Sequence, residues 1–556
     1  MLRDWQKLLS AENLYNLLTK NFIWLSLFLL ITALLSAHNQ YDFFWDFINY
    51  HYYNAWAFWE DISAYKIVTP PALMNTYLNP LLDIPLYLLI KYFNNYAAFI
   101  YAVQGLWFGV LLFFFWKICL LFFDTKTYSS VLCVILTTLI AATGQNTWFQ
   151  VGASTNEIQI SVFIIGSLYF TLKYLKYPAL QTSAEFFTLG LFLGTALALK
   201  QTCVSYIIAG GLGLIIMHKQ LRFPQKYISL YVLGGLLGFL LFDGYFMYRN
   251  YIELDNALFP AFNELFSAKW FGTYNMIDTR YIPRGLQILY YPYIMESHAA
   301  ETLFYDKRFS IFYTVFLLFA LYSLFKKNKV SFMQNPLNAY LFYFTLIAYI
   351  VWISIFGIAR YFIVIEMLSA LFFVKIVRAI KIKQLFLLSC WISLLIITFF
   401  IFVTTPQQSI KWPKVKLATD NHFVYIEPII IPEDMLVILV NYPIAAMIPL
   451  LAQHNKHLTV VNSAVSEYNN REVGIFADLS RQTRKSYAGD KTVIIFKEEE
   501  KILSTGTDKS FFDNSIQYEQ LMALKYQMNC RKIVSNLTTH YQICFPRNAE
   551  NTEQPE

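Results

Sequence analysis

Asp42 and Asp46 stand four residues apart at the head of an aromatic-rich stretch, Phe43 to Trp59, that is broken by Asn49, His51 and Asn54. Wound as a regular helix, the segment would place Asp46, Asn49, Tyr50 and Tyr53 on one face. A carboxylate in that position is a candidate general base, made stronger by burial and weaker by a cationic or hydrogen-bonding partner. The rings of Tyr50, Tyr52, Tyr53 and Trp56 and the amides and imidazole between them suit a sugar, which has an apolar side and a rim of hydroxyls. Ordinary interfacial acids beside the Tyr and Trp that collect at any membrane surface explain the same composition. Spacing alone leaves both readings open.

Further polar groups punctuate an otherwise apolar chain. Asp83 follows Asn79 and Pro80, and Glu157 closes the run Gly152-Ala153-Ser154-Thr155-Asn156-Glu157. An acid at a helix start is favoured by the helix dipole, so capping explains Glu157 as well as chemistry does. Lys200 and Gln201 form one polar break, and Arg360 sits in another, Gly357 to Tyr361. Cations at such depth must snorkel or meet an anion, which either a lipid phosphate or diphosphate or an ordinary headgroup supplies. Arg280 and Arg284 flank Pro283 ahead of a tyrosine-rich run ending at Tyr293, placed to touch a lipid diphosphate or to hold a loop on anionic headgroups. Glu366 lies inside an apolar run and reads as an internal ion-pair or polar-network residue.

No CxxC, HExxH, GxGxxG or P-loop pattern occurs, so neither a zinc site nor a nucleotide site has support, and a divalent metal stays an open question. Cys530 and Cys544 are the only cysteines beyond the apolar region and are spaced to close a short disulfide loop in an oxidising compartment. Cys119, Cys133, Cys203 and Cys390 read as small apolar fillers.

The elements that position these groups follow from composition. Of 556 residues, 19% are aromatic and only 14% charged, with mean hydropathy +0.43. Nearly uncharged runs of roughly 17 to 25 residues recur from Phe22 to Val403, and only lipid lets a helix be apolar on every side. We expect a mainly α protein, a polytopic bundle of about eleven spans over 1–403. Those spans fall at about 22–36, 97–120, 127–142, 157–172, 186–200, 203–217, 227–247, 309–325, 338–357, 361–376 and 385–403. The first is read as an uncleaved helix rather than a secretory signal, because its basic flank is long and many spans follow.

Lys173 and Lys176, then Lys219, Arg222 and Lys226, then Lys326, Lys327 and Lys329, then Lys375, Arg378, Lys381 and Lys383 fall in alternate loops. That bias puts the N-terminus in the cytoplasm and leaves 37–96, 249–308 and 404–556 outside. The net charge of +7 is then a matter of membrane orientation, with no call for nucleic acid. Leu82 to Phe93 reads as an amphipathic stretch in the interface plane. Beyond Pro413, short β-like runs at Phe423–Ile426, Leu458–Val461, Glu472–Phe476 and Thr492–Phe496 alternate with helix-like stretches such as Asp434–Leu451, so 404–556 is expected to be a small soluble α/β domain.

Four segments carry a resemblance. They are Asp46-Phe47-Ile48-Asn49-Tyr50-His51-Tyr52-Tyr53-Asn54, Tyr77-Leu78-Asn79-Pro80-Leu81-Leu82-Asp83, Asn256-Ala257-Leu258-Phe259-Pro260 with Phe262-Asn263, and Arg360-Tyr361. Together with the organisation of residues 1–403 they resemble the GT-C superfamily of membrane glycosyltransferases, which take a sugar from a polyprenyl-phosphate donor. The resemblance implies an active-site acid in the first external loop, Asp46 with Asp42 as the second candidate, and a basic residue at the lipid phosphate, for which Arg360 is the match. Asp42 and Asp46 do not form a compact DxD or ExD pair, and that departure leaves metal dependence open.

The expected reaction is inverting transfer at the external face of a bacterial inner membrane, with the C-terminal domain periplasmic or extracellular. Asp46 would orient or deprotonate the acceptor hydroxyl, and Arg360 with Lys200 would stabilise the leaving phosphate. Asn49, Tyr50, His51, Asn79, Asp83, Glu157, Arg280 and Arg284 complete the expected substrate contacts. The acceptor is a glycan, glycolipid or protein. An O-antigen polymerase or ligase would depend on Arg280 and Arg284 instead, and a lipid or solute transporter would show paired repeats with intramembrane charges.

Overall fold

The computed structural model describes residues 10–42, 44–124, 126–177, 182–221, 225–269, 271, 278–298, 306–325, 331–379, 415–416, 421–440, 444–462, 491–497, 528–537 and 541–547. In chain order the helices used below are α1 (Asn21–Asn39), α2 (Tyr52–Trp59), α3 (Ile84–Phe93), α4 (Ala97–Phe122), α5 (Tyr128–Ala142), α6 (Gln145–Phe149), α7 (Glu157–Lys176), α8 (Ser183–Leu199), α9 (Val204–Leu221), α10 (Gln225–Leu254), α11 (Asn263–Phe266), α12 (Arg308–Phe325), α13 (Pro336–Ile355), α14 (Ile363–Ala379) and α15 (Met447–Ala452).

Six helical stretches among the described residues are long and apolar enough to cross a bilayer: α1, α4, α7, Gln201–His218, α10 and α13. The expected count of about eleven is therefore not met. The expected spans at 127–142, 186–200 and 361–376 correspond to α5, α8 and α14, of 15, 17 and 17 residues. At 1.5 Å per residue these reach roughly 22 to 26 Å, short of a 30 Å hydrocarbon layer. The expected span at 309–325 falls on α12, apolar over Arg308–Leu318, and the one at 385–403 lies outside the described residues.

The chain divides into two compact units, each built from separate stretches of sequence. The first comprises Met1–Asp42, Tyr101–Gly244 and Ile277–Lys414. Its helices begin and end on local signals. Thr182 and Glu185 form a reciprocal capping box at the start of α8, and Asn335 caps α13 with Pro336 in the first turn. The two ends of its helices differ in chemistry. At one end the C-termini of α7 and α14 are basic and meet the end of α4 and the start of α5: Lys176 Nζ lies 2.8 Å from Asp124 Oδ2, Arg378 donates to Ser130 Oγ at 3.2 Å, and Lys375 stands over the Phe122 ring. At the other end the starts of α7, α9 and α14 meet the ends of α8 and α13 around Glu157, Lys200 and Arg360.

The second unit comprises Phe43–Ile100, Tyr245–Met276 and Val415–Glu556. Its core is a six-stranded mixed sheet of β1 (Tyr65–Ile67), β2 (Leu436–Val440), β3 (Leu458–Asn462), β4 (Thr492–Lys497), β5 (Met528–Lys532) and β6 (Tyr541–Pro546), ordered β1-β3-β2-β4-β6-β5. The first four strands in that order run parallel, and the β4–β6 and β6–β5 pairs are antiparallel. Leu436, Ile438, Val461, Ile494 and Cys544 pack in one buried cluster. Asp434–Leu451, expected to be helix-like, is strand β2 followed by the short helix α15. Leu-Val-Ile-Leu-Val is buried at every position, and such a run carries no alternation to tell strand from helix. Phe423–Ile426 is not a strand: only Ile426 bridges, to Ser535. Glu472–Phe476 lies outside the described residues. The edge strand β1, from the first loop, was not among the expected strands.

Candidate functional site

The expected helical face through Asp46 does not form. Phe44–Asp46 makes one turn of α-helix, but Phe47–His51 winds as a π-turn, closed by the Tyr52 N–H on Phe47 O. A π-turn inserts an extra residue and breaks the 3.6-residue repeat on which the shared face depended. Asp46, Asn49, Tyr50 and His51 are instead all buried. The turn is held from both sides: the Ala446 N–H donates to Ile48 O at 2.8 Å, and Phe47 meets the Phe423 ring edge-on.

Asp83, at the start of α3, reaches this turn. Its Oδ1 lies 2.7 Å from His51 Nδ1, and both side chains are buried. One turn on, Asn54 Nδ2 donates to Asn75 O at 2.8 Å. Asn79 does a local job, its Oδ1 accepting the Leu81 N–H in an Asx-turn before α3. His51 Nε2 and Asn54 Oδ1 are buried without a hydrogen-bond partner among the described residues.

A cavity of about 520 Å³ opens beside this segment within the same unit. Tyr53, Asn54, Tyr65, Tyr77, Tyr245 and Arg249 are in its wall, and Asp46 is not. Arg249, near the end of α10, is set by three acceptor contacts: Nη2 donates to Tyr77 O at 2.8 Å and to Asn250 Oδ1 at 3.1 Å, and Nε to Asn250 Oδ1 at 3.3 Å. Its guanidinium also stands over the Phe246 and Tyr77 rings. Burial pushes the Tyr53 and Tyr77 hydroxyls well above the usual phenol range, so both stay neutral donors. Arg249 was missed in the sequence, where the signal was one arginine at the end of a long apolar run.

In the first unit, Glu157, Lys200 and Arg360 come together. Lys200 Nζ lies 2.6 Å from Glu157 Oε1, and Arg360 Nε lies 3.8 Å from the same oxygen. Lys200 also donates to Thr155 O, and Arg360 Nη2 to Tyr361 OH at 3.1 Å. Each arrives from a backbone irregularity: Asn156 is left-handed before α7, Lys200 is extended after α8, and Arg360 is in a 3₁₀ turn after left-handed Gly357. A methyl group on Gly357 would fall 2.2 Å from Tyr281 O, so glycine is required there twice over. The three residues make a partly compensated cationic group.

Glu366 belongs to a separate closed network. Its carboxylate accepts the Thr147 N–H at 2.9 Å, Thr147 Oγ1 at 2.7 Å and the Asn146 N–H at 3.2 Å. Arg280 is clamped on Asp278 by contacts of 2.9 and 2.8 Å. Burial raises the Asp278 carboxyl, but the Arg280 hydrogen bonds outweigh it and hold the group below its ordinary range. Arg284 is exposed. The Asp42 side chain lies outside the description. Among the described residues no group of three or more His, Cys, Asp or Glu is placed to hold a metal ion.

Fold and site thus define a polytopic, largely helical membrane protein with a mixed-sheet unit. No family model matches the chain, and no curated protein matches it.

Proposed function

We propose that the protein is a membrane glycosyltransferase of the GT-C type, moving a sugar from a polyprenyl-phosphate donor to a glycan, lipid or protein acceptor at the external, periplasmic face of a bacterial inner membrane. One observation supports this reading above the others. Three of the four segments that carry the resemblance pack together in one unit: His51 meets Asp83, Asn250 reaches Phe259 O, and Phe259 stacks edge-on against Tyr77. The cavity bordered by the first two of these segments, through Tyr53, Asn54, Tyr77 and Pro80, has the size of a small-ligand site and an aromatic, amide and guanidinium wall suited to a sugar.

In this reading Asp46 takes the proton of the acceptor hydroxyl as the bond to phosphate lengthens. Within the first unit, Lys200 and Arg360, steadied by Glu157, form a cationic group of the kind that binds a lipid phosphate. The polymerase or ligase reading rests on Arg280 and Arg284, and gains nothing from an Arg280 already engaged by Asp278.

The test is transfer by purified protein in lipid nanodiscs, using polyprenyl-phosphate sugars as donors. Asp46→Asn keeps the shape but cannot accept a proton, so turnover should fall by about 10² to 10⁴-fold with expression and melting unchanged. Near-normal transfer by that variant would remove Asp46 from the mechanism. Transfer lost in Arg284→Ala and kept in Asp46→Asn would favour the polymerase or ligase reading.

A further inference from the structure

The exposed side of α10 is a continuous apolar stripe. Leu233, Leu236, Leu237, Leu240 and Leu241 recur at three- and four-residue intervals, and Tyr245, Tyr248, Tyr251 and Ile252 continue the repeat. A change from Leu to Tyr along one helix face is the change expected where a helix passes from hydrocarbon into the headgroup layer.

Past Leu254 the chain does not run out into water. Asp255 turns left-handed, and buried asparagines fold the next residues back on the helix end. Asn256 accepts the Leu258 N–H and donates to Ala261 O, Asn263 Oδ1 accepts the Ala268 N–H, and the Lys269 N–H closes on Leu254 O at 2.9 Å. Inside this loop Phe259 and Ala268 join Leu254 and Tyr77 in a buried apolar cluster. Outside it, Phe262, Leu265 and Phe266 are 62%, 75% and 45% exposed. Phe262 holds a left-handed backbone at φ +54°, a strained state for a bulky residue that persists only where its surroundings impose it.

The outer side sets three large exposed apolar side chains beside exposed Glu264, Ser267 and Lys269, a mixed face explained if it lies neither in water nor in hydrocarbon but where the two meet. We propose that Phe262, Leu265 and Phe266 form a wedge set into the boundary between headgroups and acyl chains of the membrane leaflet. This lipid contact is additional to the spanning helices. Continuity with the stripe of α10 names the occupant as lipid, because the same bilayer that meets Leu241 and Tyr245 extends past the loop. The wedge does not depend on the transferase reading.

Leu265→Cys and Phe266→Cys test it, each carrying a nitroxide label in nanodiscs of phosphatidylcholine and phosphatidylglycerol. Collision with oxygen, which partitions into lipid, is compared with collision with a nickel chelate, which stays in water. Leu240→Cys serves as the lipid reference and exposed Lys456→Cys as the water reference, with the signal of unsubstituted protein subtracted. The wedge requires an oxygen-to-nickel ratio at both loop sites several-fold above that at Lys456 and approaching that at Leu240. A nickel-dominated signal overturns it. So does a label shielded from both reagents, which would mean that protein, such as a second copy of this chain, covers the loop. Leu265 is so exposed that its replacement removes little packing, and unchanged melting confirms the fold.

Discussion

A methyl group placed on Gly194 would fall 1.9 Å from the carbonyl oxygen of Gly235, so α8 and α10 touch backbone to backbone. The contact is two-sided: Gly190 faces Tyr231 O, and Gly234 and Gly238 face Phe187 O and Leu191 O at similarly short range. Helices in lipid associate by close packing of small residues, since lipid tails compete equally for apolar side chains. Gly194→Ala should therefore force the helices apart and destabilise the protein by about 1 to 3 kcal/mol. Gly211→Ala is the control, because nothing lies within 4 Å of the added methyl. It should be neutral, or stabilising by about 0.5 to 1 kcal/mol. Thermal melting of both variants in one detergent is the comparison, and equal melting would dismiss the contact.

The Glu157–Lys200 pair predicts strong coupling. Both side chains are largely out of contact with solvent, so Lys200→Gln leaves a carboxylate whose nearest remaining cation, Arg360, is 3.8 Å away. The loss should be on the order of 3 kcal/mol. Adding Glu157→Gln should restore part of it, which a double-mutant cycle on denaturation midpoints would read directly. Simple additivity would mean that the pair does not act as one.

Acid stability should carry the mark of Glu60. Burial raises its carboxyl, but hydrogen bonds from Lys91 and Tyr87 outweigh it and bring the group below its ordinary 4.5. A carboxyl depressed in the folded state stabilises above the unfolded value and loses that contribution as pH falls through the folded value. Glu60→Gln should thus lower stability at pH 7 and progressively less below about pH 4.5. The pair is partly exposed, so the effect should stay within about 1 kcal/mol. Parallel pH–melting curves for the two proteins would exclude this role.

Cys530 and Cys544 sit opposite each other on β5 and β6 and are joined by a disulfide closing a separation of 14 residues. Breaking it with Cys530→Ser should cost about 3 kcal/mol in the chain-entropy account. Peptide mapping without reductant should recover the linked pair, and recovery of two free thiols from oxidised preparations would refute the bond.

How much of this was legible in sequence depends on the range of the cause. Membrane-length helices such as α4 and α10 are written in local composition, and so are the breaks at Glu157, Lys200 and Arg360. That those breaks meet is a tertiary fact, because Glu157 and Arg360 lie 203 residues apart in the chain and only helix packing aligns them. The π-turn at Phe47–His51 erased the face expected for Asp46, since a helical wheel assumes the repeat that the turn interrupts. The four-residue spacings Gly190-to-Gly194 and Gly234-to-Gly238 were a readable sign of the α8–α10 contact. Three-residue β1 gave almost no signal of its own, its identity as a strand coming wholly from β3.

That partnership has a consequence for how the molecule comes into being. Tyr65–Ile67 pairs with Leu458–Val460, and the Thr69 hydroxyl meets the Asn462 backbone across 393 residues of chain. A chain growing from its N-terminus must present β1 early and hold it unpaired while the helices between are made and inserted. Joining the two is a late, long-range closure, slow in the way that non-local strand pairing is slow. The C-terminal strands are therefore no detachable appendage: a nascent chain released before Leu458 leaves the strand of the first loop without its partner, an open edge of the kind that templates pairing with another chain.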